Sequence, residues 1–388
     1  MLKTLMKSCP VCNRTYTDLT LSFCMNDGAL LSAPLDSGGF ELIPPEPTIS
    51  FEREIETVVS SSKAIQKENL NVELKGNEIG FGEHFKVSLQ RTLRIPDDGN
   101  SYPLPPGLGE FPVCRVSDFH DRVPESWKEH GGVFIPMYQR EAMWIRFSAV
   151  KWRPNAVKVA AGKINAVTGK PWNQEISKSE QDYMVCPPQK WIDGFKTGSG
   201  VVRQFVAMPL GSGYTVEEQL TGEDEFGGIQ IIVFEPKPGI FEELEERPLK
   251  SVPIDWGGQS LAIKAPDKEL GLAAGGKISQ KTYPDTYRSD TWDPNNYGRV
   301  FIHIVNSSMF ESITGREAPA TPISSATYTR YGMPWFSVYD EHMSDVPTAQ
   351  ELDSVKPVGL IDKIKGIFTK EESVSLTISD EQVKKLKV

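Results

Sequence analysis

The sequence predicts a mainly β body, an antiparallel sandwich or barrel-like fold with α+β as the variant, carrying a small N-terminal cysteine module and a short helical C-terminal tail. Three observations predict it. Short runs alternate apolar and polar residues, clusters of Gly and Pro separate them, and long helical periodicities are scarce. With 388 residues, 39% apolar and 24% charged, the chain suits two or three domains, or one large β-rich domain with appendages. A chain of this size buries a large core without cross-links.

Residues 1–33 hold three of the five cysteines. Residues 34–50, with four Pro and an adjacent Gly pair, read as a linker that holds this module away from the rest. A weakly helical stretch from Phe51 to Gln66 opens a body spanning 51–350, which could divide into two subdomains. Strand patterns follow at Val72–Leu74, Phe85–Leu89, Val157–Ile164, Val201–Met208, Leu261–Ile263 and Val300–Val305. Turn signals punctuate them at Asp97-Asp98-Gly99, Pro105-Pro106-Gly107, Thr168-Gly169-Lys170-Pro171, Gly211-Ser212-Gly213 and Gly257-Gly258. No period of 20 to 50 residues signals a solenoid or propeller.

In the tail, 351–388, the residues Leu360, Ile361, Ile364, Ile367 and Phe368 share one helical face, with Lys363, Lys365 and Lys370 nearby. The expectation is a helix docked on its own domain; contact of the Leu360–Phe368 helix with a membrane surface is the alternative. A strand-like run at Val374, Leu376 and Ile378 comes next. Ser379 with Gln382 forms a capping box, predicting a terminal helix that carries Val383 and Leu386.

Charge and apolar runs exclude several classes. The net charge is −10, and Glu217 to Arg247 holds ten acids against two basic residues, a local charge of 2 − 10 = −8. Such a patch repels phosphates, and no basic stripe with aromatics compensates it, so nucleic acid is not an expected partner. The acidic run reads as a solvated face. No apolar run approaches the roughly 18 to 20 residues of a transmembrane helix, and Met1–Lys7 lacks the apolar region of a signal peptide. Together with a cysteine pattern that is no disulfide framework, this points to the cytosol.

The cysteine module reads Cys9-Pro10-Val11-Cys12, then eleven residues, then Cys24-Met25-Asn26-Asp27-Gly28. The first pair sets two thiolates on a tight turn, a common zinc-ligand arrangement. Asp27 stands where a fourth Cys would complete the second turn, so Cys9, Cys12, Cys24 and Asp27 make a tetrahedral zinc set. The competing reading makes Asp27-Gly28 a hairpin turn, with the fourth ligand elsewhere. With Arg14-x-Tyr16 and Phe23-Cys24, the segment resembles the short zinc ribbons at the N-termini of many bacterial proteins, which implies a stabilising or docking module rather than a catalytic metal. So small a module folds with its metal.

Chemistry in the body is harder to read. Gly271-Leu272-Ala273-Ala274-Gly275-Gly276-Lys277 has phosphate-loop spacing, but Ile278 stands where Ser or Thr must follow, so the segment reads as a flexible glycine turn. The five His (His84, His120, His130, His303, His342) are not paired at metal-ligand spacing. Cys114 and Cys186 have no local base. Two polar segments lie among apolar neighbours, and if their strands face one another, Arg140, Glu141, Arg203, Gln204, Glu218 and Gln230 line a polar pocket; a buried structural network is the alternative. Trp144, Trp152, Trp172, Trp191, Trp256, Trp292 and Trp335 either pack sheets or stack on sugars.

The body also resembles a family of uncharacterised bacterial proteins, some labelled integral membrane protein-like, over roughly 100–345. The resemblance rests on Pro136-Met137-Tyr138-Gln139-Arg140-Glu141-Ala142, Pro154-Asn155-Ala156-Val157-Lys158-Val159, Cys186-Pro187-Pro188-Gln189, Gly227-Gly228-Ile229-Gln230, Ala274-Gly275-Gly276 and His303-Ile304-Val305-Asn306. It implies no activity or catalytic residue, and the lack of a spanning segment contradicts the label. The leading expectation is therefore a cytoplasmic binding or assembly protein with a protein partner or self-association. A hydrolase or sugar-processing enzyme with a carboxylate pocket, and a carbohydrate-binding module, are the alternatives.

Overall fold

The structure is a computed structural model that describes residues 70–223, 226–241, 269–288, 290–339, 343–367 and 375–387, with 7–8 and 15–16. The chain divides into two compact units, Met1–Gln66 and Lys67–Val388. The described part of the tail, 351–367 and 375–387, lies in the second unit. In the first unit, strands Lys7–Ser8 and Thr15–Tyr16 pair antiparallel, Lys7 opposite Tyr16. Cys9, Cys12, Cys24, Asp27, the linker and the 51–66 helix lie outside the described residues, as do Leu261–Ile263, Trp256 and Phe368.

The second unit is mainly β, as the alternation predicts. Its spine runs through strands Glu78–Phe81, Phe85–Thr92, Ala142–Ala149, Val201–Pro209, Glu269–Ser279, Trp292–Val305, Ile229–Pro236 and Asn155–Ala161, each paired antiparallel to the next. The sheet folds over on itself, because side chains from both ends share one interior. Val87, Leu89, Ile145 and Phe147 from one half belong to the same buried cluster as Val157, Val159, Ile231 and Val233 from the other. β-branched and aromatic residues suit this pleated interior.

The opposite faces are covered too. Val206, Met208 and Ala273 pack under Val358 and Ile361 of the tail helix Val358–Lys365. Ile232 and Phe234 pack under Tyr183 and Trp292. Burial on both faces explains why Ile229–Pro236 is buried throughout and reads as a largely apolar run, with Gln230 and Glu235 inside it, rather than an alternation.

Four local expectations are corrected. Gly271–Lys277 is no flexible turn but the middle of strand Glu269–Ser279, almost wholly buried; a side chain at Gly275 would meet Val206 at 2.6 Å, so Gly is there for close approach. The Ser379–Gln382 capping box forms, but it caps only a short 3-10 turn, Asp380–Gln382. Val383–Lys387 then runs as a strand parallel to Trp335–Tyr339, not as a helix. The run at 375–379 is not paired as a strand. In the acidic run, Glu217 and Glu235 are buried rather than solvated: Glu217 accepts from the amides of Lys163 and Gly227, both at 2.9 Å, and Glu235 pairs with Arg153 at 3.1 Å. No helix among the described residues is long and apolar enough to cross a membrane.

Candidate functional site

The six polar residues singled out above are engaged with different partners. Arg140 makes a two-pronged pair with Asp362, at 2.8 and 2.7 Å. Glu141 pairs with Arg91 at 2.6 Å and accepts from the Tyr138 amide. Gln204 bridges the backbone at Leu93 and Ile95, Arg203 donates to the Gly275 carbonyl, Glu218 accepts from the Gly213 amide, and Gln230 donates to the Gly162 carbonyl. They are structural ties, and none lines either compartment of the groove described below. Buried polar atoms require such partners, which is why polar density alone misdirects a search for a pocket.

The thiols and His303 are equally uninviting. Burial pushes the Cys186 thiol up to about 12 and raises Cys114 in spite of the Arg316 guanidinium 2.9 Å from its sulfur. His303 stacks on Trp127 with ring centres 4.3 Å apart, and burial brings it down to about 3. Among the described residues, no group of three or more His, Cys, Asp or Glu is placed to hold a metal ion.

What the fold does build is a groove in two adjoining compartments, of about 380 and 220 Å³, that share Trp191 and Phe336. One wall is the segment 188–193. Trp191 and Ile192 pair with Arg146 and Ile145 of strand Ala142–Ala149, so Trp191 sits diagonally across from Trp144 on the same face, within reach for aromatic contact. Their rings lie 6.5 Å apart at 74°. The facing wall is strand Trp335–Tyr339, fastened by two hydrogen bonds between the backbones of Leu104 and Phe336, at 2.8 and 3.0 Å, and by the terminal strand Val383–Lys387. Ser279–Lys281, leaving the end of a core strand, closes the larger compartment.

Two glutamines hold these walls in register. The Gln189 amide nitrogen donates to the carbonyls of Trp191 and Lys281, and its oxygen accepts from the Tyr283 amide. The Gln280 oxygen accepts from the Asp193 amide at 3.0 Å, while its nitrogen donates to Asp193 Oδ2 at 2.7 Å. Gly194 lets the wall approach strand Val201–Pro209: a Cβ there would lie 1.8 Å from the Arg203 carbonyl oxygen. The chain is thereby pinned on both sides of Asp193.

Asp193 is the chemical centre of the smaller compartment. It is 3% exposed, and its carboxyl receives hydrogen bonds from Gln280 and the Trp191 indole, both neutral. No Lys or Arg among the described residues forms an ion pair with it. Burial raises it to about 7, against the modest lowering effect of those two donors. Around it stand Trp144, Trp191, Phe336, Leu104 and Leu386. The sequence reading included Trp144 and Trp191 among the tryptophans but missed Asp193, Phe336 and Gln280. The one local signal was an acid within Trp191-Ile192-Asp193-Gly194, an apolar strand pattern ending in Gly.

The other described tryptophans of that set pack. Trp335 is buried, Trp292 donates to Asp285, Trp172 lies under Lys158, and Trp152 meets His84 edge-on. No family model, curated protein or solved structure matches the chain.

Proposed function

We propose that this chain is a cytosolic binding protein whose body holds a ligand in the Trp191–Phe336 groove. In this reading the cysteine module is a zinc-held appendage for stability or for docking a protein partner. The observation that carries the reading is a buried carboxyl without a counter-ion at the wall of an aromatic compartment. Convergent apolar walls with one placed polar group are the usual make-up of a ligand site. A glycosidase would require a second carboxyl near Asp193, and the other ionisable residues lining the groove are Lys190, Lys281 and Tyr283. Sugar stacking calls for open, coplanar rings, whereas Trp144 and Trp191 stand nearly at right angles. Binding therefore fits better than either alternative.

The test is a ligand-observed NMR fragment screen on the full chain and on Trp191→Ala. Aromatic and cationic fragments should contact the wild type, and most should lose contact in the variant. Fragments that bind equally well to both would remove the groove from consideration.

For the appendage, support comes from the spacing of Cys9, Cys12 and Cys24 and from the antiparallel pairing of Lys7–Ser8 with Thr15–Tyr16, which brackets the Cys9–Cys12 turn. Metal analysis should give about one zinc per chain, and Cys12→Ser should abolish it. Purified wild-type protein free of metal, with residues 1–33 protected from protease, would disprove the zinc reading.

A further inference from the structure

The ligand's chemistry can be narrowed, resting on the groove reading above. We infer that the smaller compartment binds an alkylammonium cation, with the ring faces of Trp144, Trp191 and Phe336 as walls and Asp193 as its counter-ion. Three observations carry this. The compartment, at about 220 Å³, is below the roughly 300–1,000 Å³ of sites that enclose a drug-sized molecule, so it admits a headgroup rather than a whole ligand. Its walls are aromatic and aliphatic, lined by Trp144, Trp191 and Phe336 with the two indoles edge to face, and aromatic rings carry electron-rich faces. Alkylated ammonium ions are held by such faces, because their charge is spread over methyl groups that need no hydrogen bonds.

The third observation is the missing charge. A carboxyl this deeply buried normally has a cationic partner, as Glu141 has Arg91 and Asp362 has Arg140. Asp193 has only neutral donors. An incoming cation would supply the absent partner and draw the carboxyl into its ionised form.

The charged groups on surrounding elements do not already fill this role. Lys190 and Lys281 line the adjoining compartment, and the Lys281 ammonium donates to the Met343 carbonyl. Arg146 lies opposite Trp191 on the paired strand, exposed. Arg203, opposite Phe195, donates to the Gly275 carbonyl. Glu110 accepts from Gln90, and Lys384 and Lys385 lie on the terminal strand. None of them is an ion-pair partner of Asp193.

Proton linkage follows. Burial holds the Asp193 carboxyl near 7 in the free protein, and the cation selects the ionised form. Affinity should therefore be highest above pH 8 and fall about tenfold per pH unit below 7. Calorimetry at pH 8 and constant ionic strength would titrate the full chain with tetramethylammonium, with choline, and with the neutral isostere 3,3-dimethyl-1-butanol. Both cations should bind at one site per chain, at least tenfold tighter than the alcohol. Asp193→Asn, which keeps the shape and the Gln280 contact, should reduce that preference to about threefold or less. The pH titration of the wild type requires no variant and so stands if Asp193→Asn misfolds.

Equal binding of alcohol and cation, or an affinity unchanged from pH 8 to pH 5, overturns the cation and leaves the groove intact as a ligand site. Failure of all three probes to bind overturns the inference as well. The fragment screen with Trp191→Ala decides separately whether the groove itself is a site.

Discussion

Asp362→Ala should destabilise the protein by about 3 to 5 kcal/mol, the cost of leaving a buried charge without its partner. Asp362 is buried on the tail helix and takes three hydrogen bonds: two from the Arg140 guanidinium, at 2.8 and 2.7 Å, and one from the Tyr214 hydroxyl at 2.7 Å. Arg140 itself sits at φ 73, a left-handed conformation that a non-Gly residue adopts only when its surroundings over-determine it. Removing the carboxylate takes away the three hydrogen bonds that tie the guanidinium and the phenol to the tail and unfastens the helix that covers Val206 and Met208. Urea unfolding monitored by circular dichroism measures the change. A loss under 1 kcal/mol would show that Val358 and Ile361 hold the tail by apolar contact alone.

The same pair predicts a pH effect. Burial by itself would raise the Asp362 carboxyl, but hydrogen bonds from Arg140 and Tyr214 and the charge of Arg140 outweigh it and keep it below its ordinary value. A carboxyl lowered in the folded state contributes stability above its unfolded pKa of about 3.9 and loses it as pH falls through the folded value. The wild type should therefore lose more stability than Asp362→Ala on acidification below about pH 4.

Asp193→Asn should work the other way and stabilise the protein at pH 8. Burial raises Asp193 to about 7, so the folded state binds a proton that the unfolded state releases near 3.9. Stability from this group is complete below about pH 4 and declines as pH rises to about 7, where both states become ionised. Three units at roughly 1.4 kcal/mol each amount to about 4 kcal/mol lost across that window. Asparagine is neutral throughout, so the variant's advantage should be near zero at pH 4 and reach order 3 to 4 kcal/mol at pH 8. Parallel urea midpoints for wild type and variant across pH 4 to 8 would show that Asp193 is ionised at ordinary cost and the compartment well hydrated. The alkylammonium site predicts in addition that saturating tetramethylammonium at pH 8 closes much of the gap.

Residue by residue, legibility followed locality. Phe85–Leu89 and Val201–Met208 reveal themselves by alternation, and both are strands, Phe85–Thr92 and Val201–Pro209. The tail helix shows through its apolar spacing and forms as Val358–Lys365, closed by Gly366 in the left-handed conformation. That spacing also produces a second apolar row, Leu360, Ile364 and Ile367, which is exposed while Val358 and Ile361 are buried. The Ser379–Gln382 box was legible as a cap, but a cap says where a turn begins and not how far it continues. The unpaired edge of Trp335–Tyr339 took the following Val383–Lys387 as a strand, a partner that no local pattern announces.

The candidate site was the least legible part. Trp191, Asp193, Gln280 and Phe336 are brought together by pairing between segments far apart in the chain, and each alone reads as a packing or surface residue. The amino-acid sequence by itself determined the mainly β class, the tail helix and the strands around Val72–Leu74, Phe85–Leu89, Val157–Ile164, Val201–Met208 and Val300–Val305, because alternation and turn chemistry act over a few residues. Tertiary structure decided which faces were covered, which carboxylates acquired a cation, and that Asp193 did not. Those outcomes depend on which strands meet and on how far each charge is taken from water, and neither quantity is local.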